Sequence, residues 1–343
     1  MQLGQIEVAQ EGVTTAIGSL PFRNATVAAE FALQATPMLP AIPTLPKRSP
    51  AEGMISQAVL GISGISLGQY GSIAIDTRAV DVHEHVSTDL GSDAFAGFRE
   101  FLRVAQQEFS KPSAPKMVKW QFVGPISLGV ALVRAGLDPQ TAFSIAVRAV
   151  REHTSAMLDA VALALPGVQQ VVLLDEPSFG MLSTDDSPIR LDHGVDMLSA
   201  ALALVEQRAV AGVHCCGDSD WSLILDAGPS LVSFPVSADL SGHQARLANF
   251  VESGGVIAWG AVRTDGPQPL GPERAWRSLT ARWCELVDAG ADAGRLLDQC
   301  IVTPACGFGM HSEGSTLRGM EQLRALGSRV ADGTASLQLA LRT

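Results

Sequence analysis

The sequence predicts an α/β fold of the (β/α)8 TIM-barrel class, and three observations carry that expectation. Eight short apolar runs alternate with eight segments of helical period along the chain. No shift in composition, linker or repeat divides them, so one barrel over residues 1–343 is expected. Polar motifs also fall where apolar runs end: IGSLP at 17–21, DEP at 175–177, HCCGD at 214–218 and TPACG at 303–307. In this fold class the ends of the strands form the face that carries the site. A doubly wound sheet is the competing topology, because alternation does not encode strand order.

Taken in order, the predicted strands are 13–19 (VTTAIGS), 37–43 (PMLPAIP), 117–123 (MVKWQFV), 171–176 (VVLLDE), 210–216 (VAGVHCC), 231–235 (LVSFP), 256–262 (VIAWGAV) and 301–305 (IVTPA). Each is a short apolar run bounded by Gly, Pro or polar residues. Helical period covers 25–34, 95–109, 139–165, 195–206, 220–227, 244–252, 272–289 and 316–330. Two insertions break the rhythm. Residues 65–76 (ISLGQYGSIAID) alternate apolar and small residues around two glycines and read as a β-hairpin beyond the second strand. Residues 184–196 read as a polar, acidic loop, and the tail from Asp332 as frayed.

The 343 residues are 47% hydrophobic and 17% charged, enough for a sizeable core. A net charge of −11 and the lack of any basic stripe argue against a nucleic-acid partner. No Lys/Arg run suggests membrane-surface binding, and the apolar stretches fall short of the roughly 20 residues a spanning helix needs. MQLGQIEVAQEG lacks the basic and apolar regions of a signal peptide, so a cytoplasmic location is expected. Five cysteines, two of them adjacent, make a poor disulfide framework and fit a reducing compartment.

His214 and Cys216 stand two apart on a predicted strand, so their side chains share a face. Imidazole and thiolate side by side make half of a tetrahedral zinc site. Cys306, delivered by a later apolar run into the turn of PACGFG, is the candidate third ligand. Three protein ligands leave a fourth position for an incoming thiol, which coordination would deprotonate at neutral pH. A closed structural site with an acidic fourth ligand is the alternative. Cys215 is expected to point away from these ligands, and Cys284 and Cys300 to be structural thiols.

In DEP, one of Asp175 and Glu176 faces the mouth and the other the helices. An inward Asp175 can hold an ammonium group, although either carboxylate can also cap a turn or pair with an arginine. Ser19, beside Gly18, offers a hydroxyl and backbone N–H groups to a carboxylate, or forms an ordinary turn. His83, His85, His153, His193 and His243 read as solvated or locally hydrogen-bonded, whereas His311 in GFGMHSEG is a candidate proton carrier near the mouth.

At these motifs the chain resembles the catalytic C-terminal barrel of the cobalamin-independent methionine synthase family. IGSLP, LLDEP (173–177), H-x-C in VHCCGD (213–218) and TPACGFG (303–309) occur in the family's order and at similar spacing over nearly the whole chain. VHCCGD also resembles the H-x-C-G motif of methylcobamide–thiol methyltransferases, which share the barrel with uroporphyrinogen decarboxylase. The resemblance implies zinc on His214, Cys216 and Cys306, contacts from Ser19 and Asp175 to an amino acid's carboxylate and amine, and methyl transfer to homocysteine giving methionine. Three departures stand out. Pro235 occupies the place of the family's glutamate ligand, leaving Asp239 as a possible substitute. LPKRSP (45–50) replaces an H-G-E segment, so that Lys47 and Arg48 would suit an additional acidic group. The 343 residues match the size of one barrel, so a protein without the folate-holding N-terminal barrel of the long synthases is expected, with methylcobalamin or a corrinoid protein as the expected methyl donor ahead of methyl-folate. The rival readings are a decarboxylase using Arg48 and Arg78 for substrate carboxylates, and a binding protein that keeps the barrel without the chemistry.

Overall fold

Six of the eight predicted strands form one parallel sheet in a computed structural model of the chain, which describes residues 12–264, 266 and 271–333. A short antiparallel pair, β1 (Ile65–Leu67) and β2 (Ile73–Ile75), precedes it. The main sheet comprises β3 (Met117–Val123), β4 (Gln169–Asp175), β5 (Val210–His214), β6 (Leu231–Pro235), β7 (Val256–Val262) and β8 (Cys300–Pro304). Their spatial order is their sequence order, with every neighbouring pair parallel, as successive β–α units produce. The amino-terminal residues 1–11, expected to form no signal peptide, and the tail beyond Gly333 lie outside the described residues.

The expected eight-stranded barrel is corrected at its first two strands. Segments 13–19 and 37–43 form no ladders; they make single parallel bridges, Thr14 with Val302, Ser19 with Thr44, and Ala41 with Lys119. The backbone bonds are sparse but well formed, including Thr15 N to Val302 O at 3.1 Å and Ile42 N to Lys119 O at 2.8 Å. Four prolines between residues 37 and 46 supply no N–H donors, which limits pairing there. Gly18, at φ 146°, ends the first extended run in a conformation that favours glycine. The result is an α/β fold whose six-stranded parallel sheet curves as a half barrel, compatible with a TIM-like fold, with two irregular segments lying between β8 and β3.

Helices follow the strands: α1 (Ala25–Ala35), α2 (Met54–Val59), α3 (Ala96–Phe109), α4 (Pro125–Arg134), α5 (Pro139–Ala164), α6 (Leu191–Glu206), α7 (Trp221–Asp226), α8 (Gln244–Glu252), α9 (Pro272–Asp288), α10 (Ala293–Asp298) and α11 (Glu313–Ala331). Their starts are marked by side-chain caps such as Asn24, Asp138, Asp220 and Ser312, which accept from the otherwise unpaired first N–H groups. The polar loop expected over 184–196 is shorter, because α6 begins at Leu191 with Asp192 in its first turn. Among the described residues no helix is long and apolar enough to cross a membrane.

Side-chain alternation divides the interior into two cores. Val118, Trp120, Phe122, Val172, Leu174, Val213 and Cys215 join the large cluster between sheet and helices. Met117, Val171, Leu173, Val210, Leu231, Ala258 and Ile301 point the other way and pack with Val13 and Leu39 on the concave side. Further along the same strands the concave positions turn polar, at Lys119, Gln121, Ser233, Asp175 and His214. That change, at the carboxyl ends of the strands, positions the site.

Candidate active site and metal centre

The two carboxylates of DEP are divided as strand geometry requires. Glu176 is fully buried on the helix side, where Oε1 accepts from Ile126 N at 2.9 Å and Oε2 from Ser127 N and Oγ at 2.7 Å. It caps α4, and a side chain at Gly124 would stand 2.1 Å from Oε1, so glycine is needed there. Burial pushes the Glu176 carboxyl up to about 7 against these donors. Asp175 instead lines a cavity of about 350 Å³ above the concave face. Loss of water raises its carboxyl to about 6, opposed by His214 and Lys119, and Oδ1 accepts from Gln121 Nε2.

His214, Cys216 and Cys306 converge: one ligand atom from each lies within 4.8 Å of the others. His214, at the end of β5, is buried with Nδ1 3.0 Å from Ser233 Oγ on β6. Its Nε2 is also buried and has no hydrogen-bond partner. A buried imidazole nitrogen without a partner is costly, and here two thiols stand beside it. Neighbouring Cys216, and next His214, hold the Cys306 thiol down to about 4, while Cys216 is pushed up chiefly by its contact with Cys306. One orphaned nitrogen and two sulfurs, one of them favoured as thiolate, fit the donor set of a zinc ion. Nδ1–H would then donate to Ser233 Oγ, fixing the tautomer and the ring.

No motif singles out Ser233; its signal in the sequence is a lone hydroxyl in the concave register of LVSFP, one strand from His214. Ser233→Ala is therefore expected to weaken zinc binding by about 10- to 100-fold with the protein still folded, measured by competition with a chromogenic chelator.

The remaining cysteines turn elsewhere. Cys215 is buried with Sγ 3.1 Å from Ser219 Oγ, and burial raises its thiol to about 11. Cys300 is buried and likewise pushed up, and Cys284 sits half-buried on α9. Pro235 closes β6, and Asp239 beyond it is exposed, accepting from Ser241 N at 2.9 Å in its own turn and facing a different cavity. Among the described residues the cluster has three members.

Ser19 and Gly18 line the same cavity as the cluster and Asp175. The turn around Ser19 is clamped by TPACGFG: Ser19 O accepts from Phe308 N at 2.9 Å and its Oγ from Gly309 N at 3.3 Å. A β-carbon on Gly307 would lie 1.9 Å from Ser19 Oγ, so a side chain there would displace the Ser19 hydroxyl. Arg48 is placed otherwise. It pairs with Glu52 at 2.9 Å and with Asp93, outside the cavity lining. Glu52 does line it, its carboxylate held by Leu45 N at 3.0 Å and Gly97 N at 3.2 Å. His311 is half-buried with its ring 5.6 Å from Phe308; it too is outside the lining, and its carbonyl accepts from Lys47 Nζ at 2.5 Å. The described lining holds two carboxylates and no lysine or arginine.

Lys119 belongs to no motif, yet a lysine inside the apolar run MVKWQFV is a legible anomaly. It is 2% exposed, and Nζ donates to Ala16 O at 3.0 Å, Ile17 O at 2.8 Å and Gln121 Oε1. Burial lowers its pKa to about 7, with Asp175 opposing the shift.

Fold and site together define an α/β protein carrying a His–Cys–Cys cluster in a cavity at the carboxyl ends of a parallel sheet. The chain is similar in fold to a B12-independent methionine synthase from Shewanella sp. W3-18-1, solved in complex with selenomethionine, with TM-score 0.61, 14% identity and coverage of 95% of this chain and 99% of that one. It is also similar to a candidate vitamin-B12-independent methionine synthase from Listeria monocytogenes, with TM-score 0.56, 13% identity and coverage of 90% and 85%. No protein-family model matches the chain, and no curated protein matches it by sequence.

Proposed function

We propose that the protein is a zinc-dependent methyltransferase acting on a small thiol, with homocysteine as the acceptor and methionine as product. The observation that carries this reading is the unpartnered His214 Nε2 buried beside Cys216 and Cys306 at the wall of the cavity. The fold likeness to methionine synthases, one of them holding selenomethionine, supports a methionine-sized ligand. We read residues 1–343 as a single domain of (β/α)8 type, with the bridged segments 13–19 and 37–43 in the places of the first two strands. Five free thiols support a reducing, cytoplasmic setting.

His214, Cys216 and Cys306 would hold the metal, whose charge lowers the pKa of a thiol brought to it. Asp175 accepts hydrogen bonds from the substrate ammonium, and the Gly18–Ser19 turn offers a hydroxyl and N–H groups to its carboxylate. These two contacts aim the sulfur at the metal-binding residues and leave the methyl donor to approach from the open side of the cavity. The sulfur–methyl bond forms as the methyl group leaves its donor, a methylated corrinoid or methyl-folate. His311, half-buried beyond the lining, would exchange protons with solvent at the rim.

The absence of any lysine or arginine from the described lining argues against the decarboxylase alternative, since Arg48 is committed to Glu52 and Asp93 and Arg78 is exposed. The test combines metal analysis with assays of homocysteine against methylcobalamin and, separately, methyl-folate. About one zinc per chain and methionine from one donor are expected. A protein that takes up no zinc on reconstitution overturns the reading.

A further inference from the structure

We propose that Lys119 is a positioning residue that sets both ends of the amino-acid site at once; this rests on the reading of the cavity as a site for an amino-acid ligand. Isolated burial of an ammonium group is costly. Its neighbours on the concave side, Met117, Val171 and Leu173, are apolar, so packing alone does not call for a lysine. All three of its N–H donors are used, on Ala16 O, Ile17 O and Gln121 Oε1.

Two of those acceptors are the carbonyls immediately before Gly18–Ser19, the turn assigned to the ligand's carboxylate. The third decides how Gln121 lies. An ammonium group only donates, so it faces the amide oxygen, and the amide nitrogen must then point to Asp175 Oδ1. Reversal would set the amide oxygen against a carboxylate oxygen and the amide N–H against the ammonium. Asp175 is thereby held by one oxygen, and its other oxygen takes no hydrogen bond among the described residues. That free oxygen is the one available to a ligand ammonium. One buried charge thus braces the turn at one end of the cavity and, through Gln121, orients the carboxylate at the other.

The test measures binding of methionine and of 4-(methylthio)butanoate, which lacks the ammonium, by calorimetry on the full chain. The unsubstituted protein is expected to prefer methionine by about tenfold or more, the scale of one charge-assisted hydrogen bond. Lys119→Met should lower affinity for both probes and reduce the preference below about threefold, because both ends lose their brace. Gln121→Met, at a residue that lines the cavity and accepts from Lys119, should reduce the preference below about threefold by weakening methionine binding more than 4-(methylthio)butanoate binding, and it decides the matter if Lys119→Met does not fold. Zinc content should match the parent in both.

A preference that survives both substitutions overturns the inference. A preference that rises in Lys119→Met also overturns it, since Lys119 would then act only as a charge repelling the amine. Loss of zinc along with loss of preference reduces Lys119 to a structural role. A parent protein that binds neither probe, or does not distinguish them, overturns the amino-acid reading itself and the inference with it.

Discussion

Replacing Cys306 with alanine is expected to strip the protein of zinc while leaving it folded. Cys306 lies in the turn after β8, half-buried, so loss of one thiol there removes little packing and should change the melting of the metal-free protein by less than about 1 kcal/mol. The effect on the metal is of another order. Removing one of three protein ligands should exceed the 10- to 100-fold cost typical of the outer hydrogen-bonding partners of such sites, so affinity should fall by more than about 100-fold. Zinc measured by atomic absorption after reconstitution should drop from close to one per chain to near none. Cys215→Ala is the control: its thiol bonds to Ser219 away from the cluster, and its substitution should leave zinc in place. If Cys306→Ala keeps its zinc, the three side chains do not act as one site and the proposed chemistry fails.

The second large effect is expected from Asp175→Asn. The substitution keeps the shape and removes the charge that would pair with a substrate ammonium. A hydrogen bond to a charged group contributes about 1.5–3 kcal/mol, which corresponds to a loss of roughly 10- to 100-fold in affinity for homocysteine or methionine. Zinc content should not change, because Asp175 is outside the His214–Cys216–Cys306 cluster. Glu176→Gln is the informative contrast. Its carboxylate caps α4 on the far side of the sheet, so the variant should lose stability in chemical denaturation and keep its ligand affinity. An Asp175→Asn protein that binds methionine as the parent does would remove Asp175 from the site.

The two neighbouring carboxylates also illustrate what alternation along a strand conveys. The sequence specifies that Asp175 and Glu176 face opposite sides, but not which side is concave. That assignment comes from the tertiary packing, in which Val171 and Leu173, in the same register as Asp175, join the concave-side core. The same rule places Cys216 with His214 and sends Cys215 into the sheet–helix core. Arg48 went the other way. Its charge suggested an acidic ligand, yet Glu52, four residues on, and Asp93 claim its guanidinium. The pair with Asp93, formed across 45 residues, leaves no local pattern to read, whereas Glu52 at i+4 is a pattern the sequence offers.

The sequence alone determined the α/β class, the positions of the six sheet strands along the chain, the apolar-to-polar change at the strand ends and the chemical types gathered there, because these follow from periods of 2 and 3.6 residues and from side-chain chemistry; the spatial order of the strands came from the structure. The tertiary structure decided how segments 13–19 and 37–43 pair, that Cys306 meets His214 and Cys216, and that Lys119, Gln121 and Ser233 support the groups facing the cavity. Those outcomes depend on contacts between strands and turns far apart along the chain, where a single proline, a glycine in a left-handed turn or one competing carboxylate redirects a side chain without altering the periodicity around it.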